Sequence, residues 1–352
     1  MNTEFSNLYS HGFVRVAACI PVVRVGDPVF NAEKSLELLG KAHGQKAVLA
    51  VFPELGISAY SCDDLFFQDA LQNTTLGALG RILDSSAEMS IAAVVGLPLK
   101  IRDALFNCAA VLFRGKILGV AVKSFLPNYR EFHEMRHFKP SSDLPVDSLD
   151  ILGQKDIPVG ADLIFEADGI QDFRLFCEIC EDLWTPVPPS CHAALHGASV
   201  IANPSASNVT IGKADYRRSL VSNQSARCVA AYVYSGAGPG ESTTDLAWDG
   251  HALMGENGEI LAESERFSRD PQVIMADIDL GRLVKDRMTL TTFSGGSGRN
   301  GKCSFRRVRI PLEAPRGRIP LLRPVPRFPY VPSAPAVRDG RCSEIFNIQV
   351  HG

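Results

Sequence analysis

Phe173-Arg174-Leu175-Phe176-Cys177-Glu178-Ile179-Cys180-Glu181-Asp182 is a mostly apolar, strand-like run that ends in a cysteine followed by two acids. Two earlier segments end in the same way. Ala47-Val48-Leu49-Ala50-Val51-Phe52 leads into Pro53-Glu54, and Ile117-Leu118-Gly119-Val120-Ala121-Val122 leads into Lys123. A glutamate, a lysine and a cysteine each stand where a buried strand gives way to a loop. That is where α/β folds hold reactive groups, on the rim of a rigid sheet. An acid, a base and a thiol brought together suit nucleophilic attack on a carbonyl.

Outward from these segments, strand-like runs alternate with helix-like ones over residues 13–280. Residues 13–20, 47–52, 91–96, 105–113 and 116–122 read as strands, followed by 173–179, 198–202, 230–234 and 251–254. Residues 31–43 carry apolar Ala32, Leu36, Leu38, Leu39 and Ala42 at helical spacing. Residues 69–86 read as a helix opening on an acid suited to capping. Phe113-Arg114-Gly115-Lys116 and Glu256-Asn257-Gly258-Glu259 are hairpin turns by composition. The expected class is α/β, with sheet and helix in layers. No internal repeat is visible.

The composition changes near residue 290, dividing the chain into 1–290 and 291–352. Phe293-Ser294-Gly295-Gly296-Ser297-Gly298-Arg299-Asn300-Gly301 reads as a loop. Eight of the 22 prolines then fall between Pro311 and Pro335, and residues 303–352 carry nine arginines. Such a segment suits neither a core helix nor a central strand. It is expected to be an extended arm, lying over a surface or joining a neighbour.

The 352 residues are 45% hydrophobic and 21% charged, with net charge −3. That is a globular composition with no general attraction to nucleic acid or anionic membrane. No apolar run reaches the length of a membrane span, and residues 1–12 show no signal pattern. The expected compartment is the cytoplasm. Most of the nine cysteines lie in apolar runs and read as small buried hydrophobes rather than a disulfide framework. Cys62, Cys303 and Cys342 lie in more polar surroundings, with no visible role.

In the chemistry these residues allow, Cys180 is the nucleophile, Glu54 the base that takes its proton, and Lys123 the cation for a tetrahedral oxyanion. Singly, each has an ordinary structural explanation: a packed thiol, a turn carboxylate, a solvated lysine. A metal reading competes, since Cys177-x-x-Cys180 with Cys191-His192 offers four zinc-type ligands. Against it, C-x-x-C knuckles sit in turns, and in a strand spanning 173–179 the two cysteines would face opposite ways. Ser294-Gly295-Gly296-Ser297-Gly298 lacks the Lys-Ser/Thr of a phosphate-binding Walker loop. Gly236-Ala237-Gly238-Pro239-Gly240 lacks the helix pattern of a dinucleotide site.

Phe52-Pro53-Glu54-Leu55, Lys123-Ser124-Phe125-Leu126-Pro127 and Glu178-Ile179-Cys180-Glu181-Asp182 together resemble the carbon–nitrogen hydrolase (nitrilase) superfamily. The run from Lys123 through Asn128-Tyr129-Arg130-Glu131-Phe132 more closely resembles the glutaminase domains of bacterial glutamine-dependent NAD synthetases. So do Ala226-Arg227-Cys228 and the segment from Gly240 to Gly250. The resemblance runs from about Tyr9 to Gly352.

It implies a four-layer α-β-β-α sandwich and hydrolysis of L-glutamine to glutamate and ammonia without metal or organic cofactor. Carried over by motif, Glu54 is the general base, Lys123 the oxyanion and positioning group, and Cys180 the nucleophile. Glu131 matches the second glutamate, which orients the lysine. Tyr129 and Ser207 match glutamine-holding positions, and Glu181 and Trp184 are expected pocket walls. Lys213 stands where an arginine is expected, and a single ammonium grips a carboxylate less geometrically than a guanidinium fork. The resemblance also implies a partner, an ATP- and Mg-dependent synthetase domain opening on Ser-Gly-Gly-x-Asp-Ser, beyond the point where this chain ends. No residue here supplies that loop, so this polypeptide alone is not expected to make NAD. A homo-oligomer is expected.

Overall fold

The structure is a computed structural model that describes residues 5–294, 304–325, 327–328, 330–332 and 334–352. Within it, residues up to Pro320 form one compact unit and Leu321–Gly352 a second.

The larger unit is built on two sheets. Among the described residues the first has eight strands, in the order Gln272–Asp279, Phe13–Ile20, Leu49–Val51, Ala92–Ile101, Ala104–Phe113, Lys116–Val122, Gln154–Gly160 and Ser148–Ile151. The second has seven: Glu259–Glu263, Ala252–Glu256, Ala231–Gly236, Val200–Ser205, Arg174–Cys177, Leu163–Gly169 and Arg306–Glu313. Strand parity sorts the side chains into layers. Val16, Val51, Val94 and Val111 of the first sheet meet Phe165, Leu175, Ala202 and Val233 of the second in one buried cluster. Ala17, Ala50 and Val95 face the other way, onto Leu38, Leu39, Leu79 and Ile82 of the helices Pro28–Gly44 and Asp69–Ser85. On the far side, Phe176, Ile201 and Tyr232 pack on Ala193 and Val221 of the helices Pro189–Leu195 and Lys213–Cys228. The layers are therefore α-β-β-α, as expected.

Both anticipated hairpins form. Their central residues take positive φ, 47° and 73° at Arg114 and Gly115, and 46° and 93° at Asn257 and Gly258. The helix over 69–85 is capped differently from expectation. Gln68 holds the N-cap position, and Asp69 lies in the first turn, where its charge favours the helix dipole.

The arm departs from the reading of its composition. Arg306–Glu313 pairs parallel to Leu163–Gly169 and closes the edge of the second sheet. Ile310 and Leu312 are buried, while Pro311 points outward on an edge strand that tolerates it. The compact body thus runs past residue 290, to Pro320. In the second unit, Pro335–His351 is a helix with Pro335 at its first position, where a missing N–H costs nothing. The glycine-rich stretch 295–301 and Cys303 lie outside the described residues. The described cysteines are all free, and Cys62 is buried beside Phe66.

Candidate active site

Glu54 follows the strand Leu49–Val51, and Lys123 follows Lys116–Val122 directly; both strands belong to the first sheet. Cys180 follows Arg174–Cys177 of the second sheet, at the start of a short 3-10 turn, Cys180–Trp184. Its φ of 45° is unusual for a residue with a side chain, and such strain persists only where the surroundings enforce it. Gly96 makes room on the opposite side. A Cβ there would lie 2.4 Å from the Leu55 nitrogen and 2.5 Å from the Pro53 oxygen, so only glycine lets the Glu54 loop cross its strand.

The three side chains meet in the interior. Glu54 and Lys123 are fully buried and Cys180 nearly so. Lys123 Nζ lies 2.5 Å from Glu54 Oε1 and 2.8 Å from both oxygens of Glu134. Asn107 donates its amide to Glu54 Oε1 at 2.7 Å. The backbone N–H of Ala206 donates to Glu54 Oε2 at 2.8 Å. Cys180 lies within electrostatic reach of both Glu54 and Lys123.

Burial pushes the Cys180 thiol well up, and the Glu54 charge adds to this against the pull of Lys123, so the thiol keeps its proton at rest. Burial also acts to strip Lys123 of its proton. The charges of Glu134 and Glu54 outweigh it and hold the lysine well above its ordinary range. Glu134 is raised to about 6, by burial first and then by Glu54, with Lys123 opposing.

Here the expectation for Glu131 is corrected. The carboxylate on Lys123 is Glu134, eleven residues on, which also accepts the Tyr60 hydroxyl at 2.7 Å. Glu131 instead accepts the Asn208 amide at 2.6 Å and faces the cavity. Residues 123–133 form no helix or strand, so no periodicity marks which glutamate turns inward.

Tyr129, Glu131, Cys180, Glu181, Trp184, Ser207 and Lys213 line one cavity of about 510 Å³. Every expected site residue except buried Glu54 and Lys123 thus shares one chamber. Tyr129 donates its hydroxyl to Glu181 at 2.7 Å. The Lys213 ammonium bonds Asn208 Oδ1 and lies 5.1 Å from the Trp184 ring and 5.5 Å from that of Phe132. Burial lowers the Lys213 pKa and raises that of Glu181.

The zinc-type ligands are not brought together. The strand stops at Cys177, which faces the inter-sheet core, whereas Cys191 packs with the outer helices on the opposite face. Among the described residues no group of three or more His, Cys, Asp or Glu is placed to hold a metal ion. No helix among them is long and apolar enough to cross a membrane.

Sequence reasoning missed a polar chain under the nucleophile. The Cys180 N–H donates to Asn203 Oδ1 at 3.2 Å, and Asn203 Nδ2 to the Tyr232 hydroxyl at 2.9 Å. Tyr232 in turn donates to Glu178 at 2.5 Å. Asn203, a polar residue inside an apolar strand, was the available signal.

Burial raises Glu178 from 4.5 to about 8. The native state therefore keeps a proton that the unfolded chain releases near 4.5. This contribution to stability is full below pH 4.5 and fades as the pH rises through 8. Thermal melts from pH 5 to 8 should show Glu178→Gln with a flatter decline in Tm than wild type; an unchanged slope would contradict the assignment.

Residues 15–288 match the carbon–nitrogen hydrolase family. A glutamine-dependent NAD(+) synthetase of Mycobacterium tuberculosis is 47% identical over 351 residues, 99% of this chain and 51% of that protein. The chain thus spans about half the length of the curated relatives it matches. The crystal structure of a glutamine-dependent NAD(+) synthetase from Cytophaga hutchinsonii superposes with a TM-score of 0.67 at 27% identity, over 76% of this chain and 43% of that one. An amidase from Nesterenkonia sp. shares the fold, with a TM-score of 0.58 at 19% identity over 79% of this chain and 96% of its own. With its layered sheets and its buried glutamate, lysine and cysteine, the chain belongs to the carbon–nitrogen hydrolase family.

Proposed function

We propose that this chain hydrolyses the side-chain amide of L-glutamine to glutamate and ammonia through a thioester on Cys180. The observation that carries the reading is the buried Glu54–Lys123–Glu134 network beside Cys180, which opens onto a cavity of mixed charge. Lys213 is the cation for the α-carboxylate of an amino acid, and Glu181 and Glu131 are the acids for its ammonium. Tyr129 and Ser207 supply neutral hydrogen bonds, and Trp184 forms a wall.

In the reaction, Glu54 takes the thiol proton as the sulfur attacks the amide carbon. Lys123, held by Glu134, stabilises the oxyanion. As the tetrahedral intermediate collapses, the C–N bond breaks and the proton on Glu54 passes to the departing ammonia. Water, deprotonated by Glu54, then attacks the γ-glutamyl thioester. Glutamate leaves, and the thiol recovers its proton. Every group this sequence needs is a protein side chain, so the reading calls for no metal or organic cofactor.

The relatives named as glutamine-dependent NAD(+) synthetases support a reading in which the ammonia goes on to NAD synthesis, with an ATP- and Mg-dependent synthetase domain proposed as its receiver. Substrate preference tests the reading. A cavity built to pair charges rejects amides that lack them, so kcat/KM for glutamine should exceed that for propionamide on the order of 10²-fold or more. Equal rates, or a preference for propionamide, would move the assignment to a general small-amide hydrolase.

A further inference from the structure

Asp182, two residues after the nucleophile, is 1% exposed. Its Oδ1 accepts the backbone N–H of Ser124 at 3.1 Å and of Phe125 at 2.9 Å. Its Oδ2 accepts the N–H of Ile179 at 2.8 Å. Ser124 and Phe125 directly follow Lys123, and Ile179 directly precedes Cys180. The loops so joined leave strands of different sheets, Lys116–Val122 in the first and Arg174–Cys177 in the second. All three donors are backbone groups, so the carboxylate fixes where the chain runs. Burying a carboxylate is costly, and three N–H bonds are what make it tolerable here. Asp182 is absent from the cavity lining.

We infer that Asp182 is a positioning residue that sets the Lys123 ammonium against the Cys180 sulfur by clamping their two loops together. The inference rests on the reaction proposed above. The clamp acts on the reacting pair and leaves the amino-acid pocket alone, so its loss slows chemistry without weakening substrate binding. In Asp182→Asn one oxygen becomes an NH₂ that faces N–H donors, and one side of the clamp opens. In Asp182→Glu both oxygens remain, displaced by one methylene.

The test uses the full chain, with active sites counted by titration so that unfolded material drops out. Two rates are measured per site: glutamate release from glutamine, and alkylation of Cys180 by iodoacetamide. For Asp182→Asn, kcat should fall tenfold or more with KM within twofold of wild type, and alkylation should slow in parallel. Asp182→Glu should fall between that variant and wild type, with the same unchanged KM. A purely structural role would lower the number of titratable sites and leave both rates per site intact. Rates per site within twofold of wild type in Asp182→Asn overturn the proposal. If that variant does not fold, the same result in Asp182→Glu overturns it. Should wild type release no glutamate while alkylation still slows in Asp182→Asn, the glutamine reading falls and the positioning role stands.

Discussion

Cys180→Ala should abolish glutamate release, by about 10⁴-fold or more, and leave the fold and the pocket in place. Loss of a nucleophile removes the covalent route, and no neighbouring side chain can substitute for it. Glu54 is the other strong nucleophile at hand, but it is committed to Lys123, Asn107 and Ala206. The structural cost is small. Removing one sulfur from a site 4% exposed leaves a minor cavity, about 1 kcal/mol by analogy with single-group core truncations. Alanine accepts the positive φ about as well as cysteine does. Lys213, Glu181 and Tyr129 are untouched, so calorimetric titration should still detect glutamine. Residual turnover above about 1% of wild type would mean that the thioester route is wrong.

Lys123→Met should be the most damaging change to stability. The ammonium sits between Glu54 and Glu134, all three at or near zero exposure. Removing it leaves two buried carboxylates without their cation, and breaking a buried pair in this way costs about 3–5 kcal/mol. Activity is lost with it, because the oxyanion has no counter-charge. The stability loss should depend on pH. Glu134 already titrates at about 6 with Lys123 opposing the shift, and without the lysine its pKa rises further. A raised carboxylate pKa stabilises the fold at low pH and ceases to do so as the pH climbs through that pKa. Urea unfolding should therefore show a smaller deficit at pH 5 than at pH 8. Equal deficits at both pH values would argue that the carboxylates find other partners.

Much of this was legible because apolar strands announce themselves. Residues 47–52, 116–122 and 173–177 are nearly all apolar, and a charged residue or thiol just beyond each marks a strand end. What stayed hidden lacked such a contrast. The strands Ser148–Ile151, Gln154–Gly160 and Leu163–Gly169 were not anticipated, since Lys155, Asp156 and Pro158 break their apolar character. Lys213–Cys228 presents little amphipathic contrast, because Arg217 and Gln224 are buried among its polar residues. In the arm, Val308, Ile310 and Leu312 do alternate, but arginines and Pro311 mask the pattern. Glu131 was preferred to Glu134 because the motif match placed the second glutamate there, and a loop offers no period by which to test that placement. The resemblance supplied the pocket residues Tyr129, Ser207 and Lys213, which no local pattern distinguishes.

Two of the three reacting groups hang from one sheet and the third from the other, across a seam that is mainly apolar and crossed by a few polar ties such as Ser235 Oγ to the Cys19 carbonyl and the Asp182 bonds. Apolar contact has no preferred direction, so sideways slip within the seam is opposed by how the side chains interlock and by those few directional bonds. On the proposed reading the molecule therefore behaves as a vernier, in which turnover reports how well two scales, tied at a few points, are aligned. Warming or pressure that lets the layers slide should silence it while its strands and helices are still intact. A trimmed side chain deep in the seam, such as Phe165→Leu, would register in kcat although it lines no part of the cavity.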